Sequence, residues 1–128
     1  MDYDPAQLWR FLPWGYAATV SLETPVLYFG LAPHHSLRTK FTAALWLTAC
    51  TYPIVVLALP MLLAGRSEWL YIAVAETFAP LAECVLFHLA FGGHRADGRP
   101  NVTFRDDAAI VAANLTSFLV GGWLLSVF

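Results

Sequence analysis

An uncharged stretch of twenty-five residues constrains the fold of this chain more than any other feature of its sequence. The stretch runs from Phe41 to Gly65, with Lys40 directly before it and Arg66 directly after it. A helix rises about 1.5 Å per residue, so this run is longer than the roughly 30 Å of hydrocarbon in a bilayer. The sequence therefore predicts a transmembrane helix at about residues 41–64.

Three further stretches have the length and apolar character of membrane spans. Residues 108–128 are uncharged, whereas residues 69–91 contain Glu76 and Glu83 and residues 13–31 contain Glu23. Neither glutamate-bearing stretch shows the wide polar face of an interfacial helix. We therefore predict an all-α membrane protein, a small bundle of four transmembrane helices at about 13–31, 41–64, 69–91 and 108–128 that forms a single integral-membrane domain over residues 1–128.

The composition agrees with a chain whose solvent is lipid. Apolar residues make up 59% of the 128 residues and charged residues only 12%, about half the share usual in soluble domains. The net charge of -2 provides no basic surface of the kind that binds nucleic acid. We therefore expect the lipid bilayer as a partner and no nucleic acid.

The basic residues predict an orientation in the membrane. Five of the seven fall in the segments 32–40 and 92–107, which the positive-inside rule assigns to the cytoplasm: Arg38, Lys40, Arg95, Arg99 and Arg105. Both termini are then outside, in a plasma or inner membrane. Six aromatic residues gather near that outer interface, where amphipathic rings are favoured: Trp9, Trp14, Tyr16, Trp69, Tyr71 and Trp123. We further expect His34, His35 and His94 to meet anionic headgroups on the cytoplasmic side.

Three glutamates inside the predicted spans are the principal candidates for a functional site. Glu23 lies near the middle of the first span, and Glu76 and Glu83 are seven residues apart in the third, which returns them to nearly one helix face. A carboxylate in lipid is costly unless it is protonated, hydrogen-bonded or exposed to water. We interpret the three as a proton or cation site; the alternative is that they are packing groups that lock the bundle.

Three other polar residues are secondary candidates. His88 could ligate haem or a metal or relay protons, although a hydrogen-bonded interfacial role is the more common one. Asn114 shares a face with Ser117 and Gly121, a pattern typical of close helix packing and compatible with a ligand contact. Tyr52 stands among the polar residues directly before Pro53 in the second span.

Prolines interrupt three of the predicted spans. Pro53 leaves a backbone carbonyl without its usual donor, and nearby hydroxyls can satisfy it, so a kink is expected there. Pro25 and Pro80 predict similar breaks in the first and third spans. Such breaks expose carbonyls that coordinate ions in carriers, although proline is also common in ordinary membrane helices.

The sequence contains no recognisable catalytic signature and identifies neither a cofactor nor a metal. It has no glycine-rich phosphate loop, paired CxxC or HExxH motif. The leading hypothesis is a small transporter or channel-like protein for a cation, which works as a homodimer or in a larger membrane complex. The sequence favours a protein that is not an enzyme. The alternatives are an accessory subunit of a larger assembly and a redox or lipid-modifying enzyme that uses His88 and the acids.

Overall fold

The computed structural model describes residues 4–127, with side chains as far as residue 123, and this part of the chain is folded into helices without a β-strand. The four helices are α1 (Pro5–Gly30), α2 (Leu37–Leu62), α3 (Glu68–Phe91) and α4 (Phe104–Val127). The prediction of an all-α chain with four helices is confirmed. The predicted last residue, Phe128, lies outside the described residues.

Each helix begins earlier than its apolar stretch predicts, because polar residues inside the helix precede that stretch. Asp4 caps α1 by accepting from the Ala6 N–H at 3.2 Å, so the helix starts at Pro5 and not at residue 13. The Ser36 hydroxyl accepts from the Thr39 N–H at 3.1 Å at the start of α2, and Ser67 caps α3 in the same way. In α4 the Asp106 carboxylate accepts from the Thr103 N–H, and the helix starts at Phe104 and not at residue 108. Hydrophobic runs therefore mark the apolar part of each helix and omit its capped end.

The prolines affect the helices differently. A π-helical segment, Ile54–Ala58, directly follows Pro53 in α2, and the Leu59 N–H donates to the carbonyl of Ile54. The hydrogen-bond pattern of α2 therefore changes directly after Pro53, where the sequence predicts a kink. By contrast, α1 continues through Pro25 and α3 continues through Pro80 without a break, so the breaks predicted there are wrong. A helix with packed neighbours tolerates the missing donor of a proline.

The helices are arranged as a square in cross-section. α1 packs against α2 and α4, and α3 packs against the same two helices, so α1 and α3 are diagonal to each other. An apolar core fills the bundle near the loops that join α1 to α2 and α3 to α4, and its largest fully buried members are Leu31, Leu47, Phe87 and Ile110. The centre of the square is therefore where side chains from all four helices meet.

The loop end of the bundle is tied together by one buried carboxylate. Asp106 is fully buried and accepts from the Ala32 N–H at 2.8 Å and from His35 Nε2 at 3.0 Å. His35 is itself buried, so its expected contact with lipid headgroups is wrong. Lys40 donates to the carbonyl of Tyr28 at 2.8 Å and thereby provides a hydrogen-bond donor for one of the last carbonyls of α1.

Two of the helices are long and apolar enough to cross a membrane, namely Leu37–Leu62 and Glu68–Phe91. Large apolar side chains also cover much of the bundle surface, for example Phe29, Leu62, Leu89 and Phe104. These features are weak support for a membrane protein.

Candidate functional site

Glu23 is buried at the centre of the bundle and both of its carboxylate oxygens have a donor. The residue is only 3% exposed. Thr48 Oγ1 of α2 donates to Glu23 Oε2 at 2.9 Å, and Ser117 Oγ of α4 donates to Glu23 Oε1 at 3.0 Å. The carboxyl of α1 is thus held by both helices that flank it.

Glu83 on the diagonal helix α3 is bound in the same manner. It is also 3% exposed, and it accepts from Thr51 Oγ1 at 3.0 Å and from the Asn114 side-chain amide. The Thr51 hydroxyl also lies 3.1 Å from the carbonyl of Leu47, and the Asn114 amide also donates to the carbonyl of Ile110 at 2.9 Å. Each donor is therefore fixed by its own helix as well as by the glutamate.

Glu76, the third of the candidate glutamates, has a different environment from Glu23 and Glu83. It lies on α3, seven residues before Glu83, and its side chain is partly exposed. No hydrogen bond or ion pair to Glu76 occurs among the residues whose side chains the structure describes. It is the one glutamate of the three whose carboxylate is left to water or a ligand.

A cavity of about 160 Å³ joins the three glutamates. Its wall contains all three together with the four donors, which are Thr48, Thr51, Asn114 and Ser117. A single water needs roughly 10–15 Å³ of such space, so the cavity accommodates several waters or a small organic ion. Hereafter we call it the polar cavity.

The polar cavity has an excess of acidic groups. The four donors to Glu23 and Glu83 are three hydroxyls and one amide, none of which carries a charge. Within the described part of the chain, no Lys, Arg or His forms an ion pair with any of the three glutamates. A proton or an external cation is therefore required to neutralise any ionised carboxylate there.

Among the described residues, no group of three His, Cys, Asp or Glu side chains is close enough to hold a metal ion. The two cysteines, Cys50 and Cys84, are free thiols. The three glutamates place carboxyl groups around one cavity.

Tyr52 lies at the edge of the polar cavity, and its hydroxyl has an unusual environment. Tyr52 Oη is buried and has no hydrogen-bond partner among the described residues. The hydroxyl packs against α1 at Gly15, where a Cβ atom would overlap it. An unsatisfied buried hydroxyl typically costs about 1–3 kcal/mol, so the absence of a partner is a notable feature of this position.

His88, another secondary candidate, lies away from the polar cavity. Its Nε2 atom is 2.9 Å and 3.1 Å from the two carboxylate oxygens of Asp107, and both side chains are substantially exposed. Asp107 belongs to the first turn of α4. The structure therefore pairs His88 with an exposed acid near the loop end and does not bring it to the three glutamates.

Sequence reasoning missed the pairing of hydroxyls with glutamates. From the sequence, the hydroxyls shortly before Pro53, which are those of Thr48 and Thr51, are expected to compensate for the proline, and Ser117 is expected to pack. In the structure each of the three donates to a buried glutamate. The signal was present in their spacing. Thr48 and Thr51 are three residues apart, as are Asn114 and Ser117, so each pair occupies one helix face near mid-span.

No protein-family model, curated protein sequence or solved structure matches this chain. The functional interpretation therefore depends on the geometry of the polar cavity.

Proposed function

We propose that this chain is a small integral-membrane transporter or channel-like protein for a cation, with Glu23, Glu76 and Glu83 as its proton and cation site. One observation carries the proposal: three glutamates border one cavity, and among the described residues no basic side chain pairs with them. Ionising these groups in a low-dielectric interior requires a compensating positive charge. Protons and a cation then compete for the same carboxylates, which is the simplest physical basis for exchange.

The difference in hydrogen bonding among the three glutamates supports this proposal. Glu23 and Glu83 are each held by two donors, whereas Glu76 has no partner within the described residues. A fixed pair of carboxyls provides a rigid wall, and the third is free to bind what enters. We assign Glu76 the first contact with the cation.

The proposal includes four membrane spans, with the segments 32–40 and 92–107 in the cytoplasm and both termini outside. The basic side chains near the two longer loops, together with the exposed indoles of Trp9, Trp14, Trp69 and Trp123 near the opposite end, support this orientation. Because four helices enclose only a short path, we propose that the protein works as a homodimer or within a larger membrane assembly.

Reconstitution in lipid vesicles tests the proposal. Guanidinium is a suitable probe because it is permanently charged, carries N–H donors and does not titrate near neutral pH. The purified full chain should mediate uptake of labelled guanidinium, driven by an acidic vesicle interior if protons are exchanged or by membrane potential alone if the protein is channel-like. Glu76→Gln should abolish the uptake or its dependence on the proton gradient.

The matched control is Glu68→Gln, which removes a carboxylate from the exposed start of α3 and leaves the polar cavity intact. It should behave as the parent protein does. Absence of any protein-dependent flux from the folded parent would overturn the proposal. Loss of a copurifying membrane partner in folded glutamate variants, with no flux in the parent, would instead favour an accessory subunit.

A further inference from the structure

A second, larger and apolar chamber adjoins the polar cavity. It has a volume of about 520 Å³ and lies between α1, α2 and α4. Aromatic side chains form much of its wall, namely Phe11, Trp14 and Phe118. Four residues border both spaces, so the two are neighbours along one wall: Thr19, Tyr52, Ser117 and Phe118.

Glycines account for the width of this apolar chamber. Gly121 and Gly122 of α4 line it, and a Cβ atom built on either would meet no atom of the described side chains within 4 Å. The sequence thus places two residues without side chains where α4 borders the chamber, although Gly is unfavourable inside a helix by about 1 kcal/mol relative to Ala. Among the described residues, no side chain occupies the space next to these two glycines.

We propose that the two spaces together bind an amphiphilic organic monocation: an ammonium or guanidinium head attached to an apolar, preferably aromatic, body. The head occupies the polar cavity near Glu76, and the body occupies the apolar chamber. The proposal rests on the proposed function, since the head uses the same carboxylates, and it adds the substrate class. Charge complementarity selects a cationic head, because three glutamates border the polar cavity and none forms an ion pair with a basic side chain in the described part of the chain.

Tyr52 joins the two halves of this site. Its side chain borders both spaces and its hydroxyl has no partner among the described residues. The ring of Tyr52 therefore borders the ligand where the two spaces meet, whereas its hydroxyl is covered by α1 at Gly15. The aromatic rings at the chamber wall, Phe11, Trp14 and Phe118, suit a flat apolar body next to a cation.

A set of three matched probes distinguishes this occupant from a lipid chain and from a bare cation. The first is (2-naphthylmethyl)guanidinium, the second is the neutral and nearly isosteric (2-naphthylmethyl)urea, and the third is guanidinium itself. Binding is measured to the purified full chain in detergent micelles. The first probe should bind at least tenfold more tightly than either of the others.

Two results would overturn the substrate class. Equal binding of the urea would mean that the chamber accepts any apolar molecule, as a slot for a lipid chain does. Equal binding of guanidinium, if it depends on Glu76, would refute the apolar half of the site and leave the proposed cation function standing. Binding of none of the probes, or binding unaffected by Glu76→Gln, would refute both.

Substitutions in the chamber provide an independent test. Gly121→Leu places a side chain in the open space and should weaken binding of the naphthyl cation at least tenfold without changing that of guanidinium. Ala112→Leu, on an exposed face of the same helix, is the matched control and should change neither. Unchanged affinity for the naphthyl cation in Gly121→Leu would contradict the proposed placement.

Discussion

Glu23 and Glu83 lie on diagonal helices, and each accepts one hydrogen bond from each of the two helices between them. The donors on α2 are three residues apart, and so are the donors on α4. The earlier donors, Thr48 on α2 and Asn114 on α4, each bind the glutamate of the helix that directly precedes them in the chain. The later donors, Thr51 on α2 and Ser117 on α4, each bind the other glutamate. The network therefore has approximate twofold symmetry about the bundle axis, and it couples all four helices through two carboxyl groups.

This network predicts a specific cost when one hydroxyl is removed. Thr48→Val keeps the shape of the side chain but leaves Glu23 Oε2 without its donor at a position that is fully buried. We expect a loss of about 1–3 kcal/mol in the free energy of unfolding, measured by circular dichroism during titration with a denaturing detergent. Thr116→Val is the control, because its hydroxyl donates only to the carbonyl of Ala112 in its own helix. Equal effects of the two substitutions would argue against the network.

The close approach of α1 and α2 predicts opposite effects of the same substitution at two glycines. Gly15→Ala introduces a Cβ that overlaps the Tyr52 hydroxyl, so it should lower the melting temperature despite the better helix propensity of alanine. Gly121→Ala meets open space and should raise the free energy of unfolding by up to about 1 kcal/mol.

A rescue experiment separates the steric cause from a general effect of Gly15. In a Tyr52→Phe background, Gly15→Ala should be less destabilising, because the nearest overlapping atom has been removed. The relief should be partial, since the ring of Phe11 also lies near the added Cβ. Identical destabilisation with and without the hydroxyl would contradict this account of the contact.

The loop end of the bundle predicts an acid-sensitive contribution to stability. Burial raises the pKa of Asp106, but hydrogen bonds from Ala32, His35 and Thr103 more than offset it and hold the pKa below its ordinary value. A carboxyl whose pKa is lower in the folded state stabilises the fold at all pH values above its unfolded pKa of about 3.9. That contribution is lost as the pH falls through the lower, folded value.

The measurement compares the parent protein with Asp106→Asn across pH. The parent should be more stable near neutral pH, and the difference in free energy of unfolding should shrink as the pH drops below about 4. Asp97→Asn, in an exposed turn, is the control and should show little difference at any pH. A difference between the parent and Asp106→Asn that persists unchanged in acid would show that the carboxylate charge is not what stabilises the loop end.

The proposed orientation predicts which loops an impermeant thiol reagent reaches in intact cells. After the native Cys50 and Cys84 are replaced, Ala64→Cys should be labelled from outside and Ala96→Cys should be protected until the membrane is permeabilised. Both positions are exposed and lie in loops at opposite ends of the bundle. The reverse labelling pattern would invert the orientation, and labelling of both sites would contradict the four-span topology.

The helices were predictable from the sequence to a greater extent than the site was. An apolar run such as residues 41–64 is sufficient to predict a helix, while its polar first turn, capped by Ser36, is invisible to a hydrophobicity argument. The donors to Glu23 are 25 and 94 residues away in the chain, and their convergence depends on how the helices are rotated. His35 was misassigned for a related reason, because its partner Asp106 is distant in sequence. To predict which polar groups pair across the bundle, one must know which helices are neighbours and how each is rotated. Residue spacing within a helix does not provide this.

Proton release on cation binding tests the central claim most directly. Guanidinium does not titrate near neutral pH, so any proton released when it binds comes from the protein. Calorimetry in two buffers of different ionisation enthalpy measures the number of protons released per guanidinium bound. We predict net proton release from the parent protein near neutral pH, and a clear decrease in Glu76→Gln, whose network at Glu23 and Glu83 remains intact. Guanidinium binding without proton release, and with the same affinity in Glu76→Gln, would contradict the account.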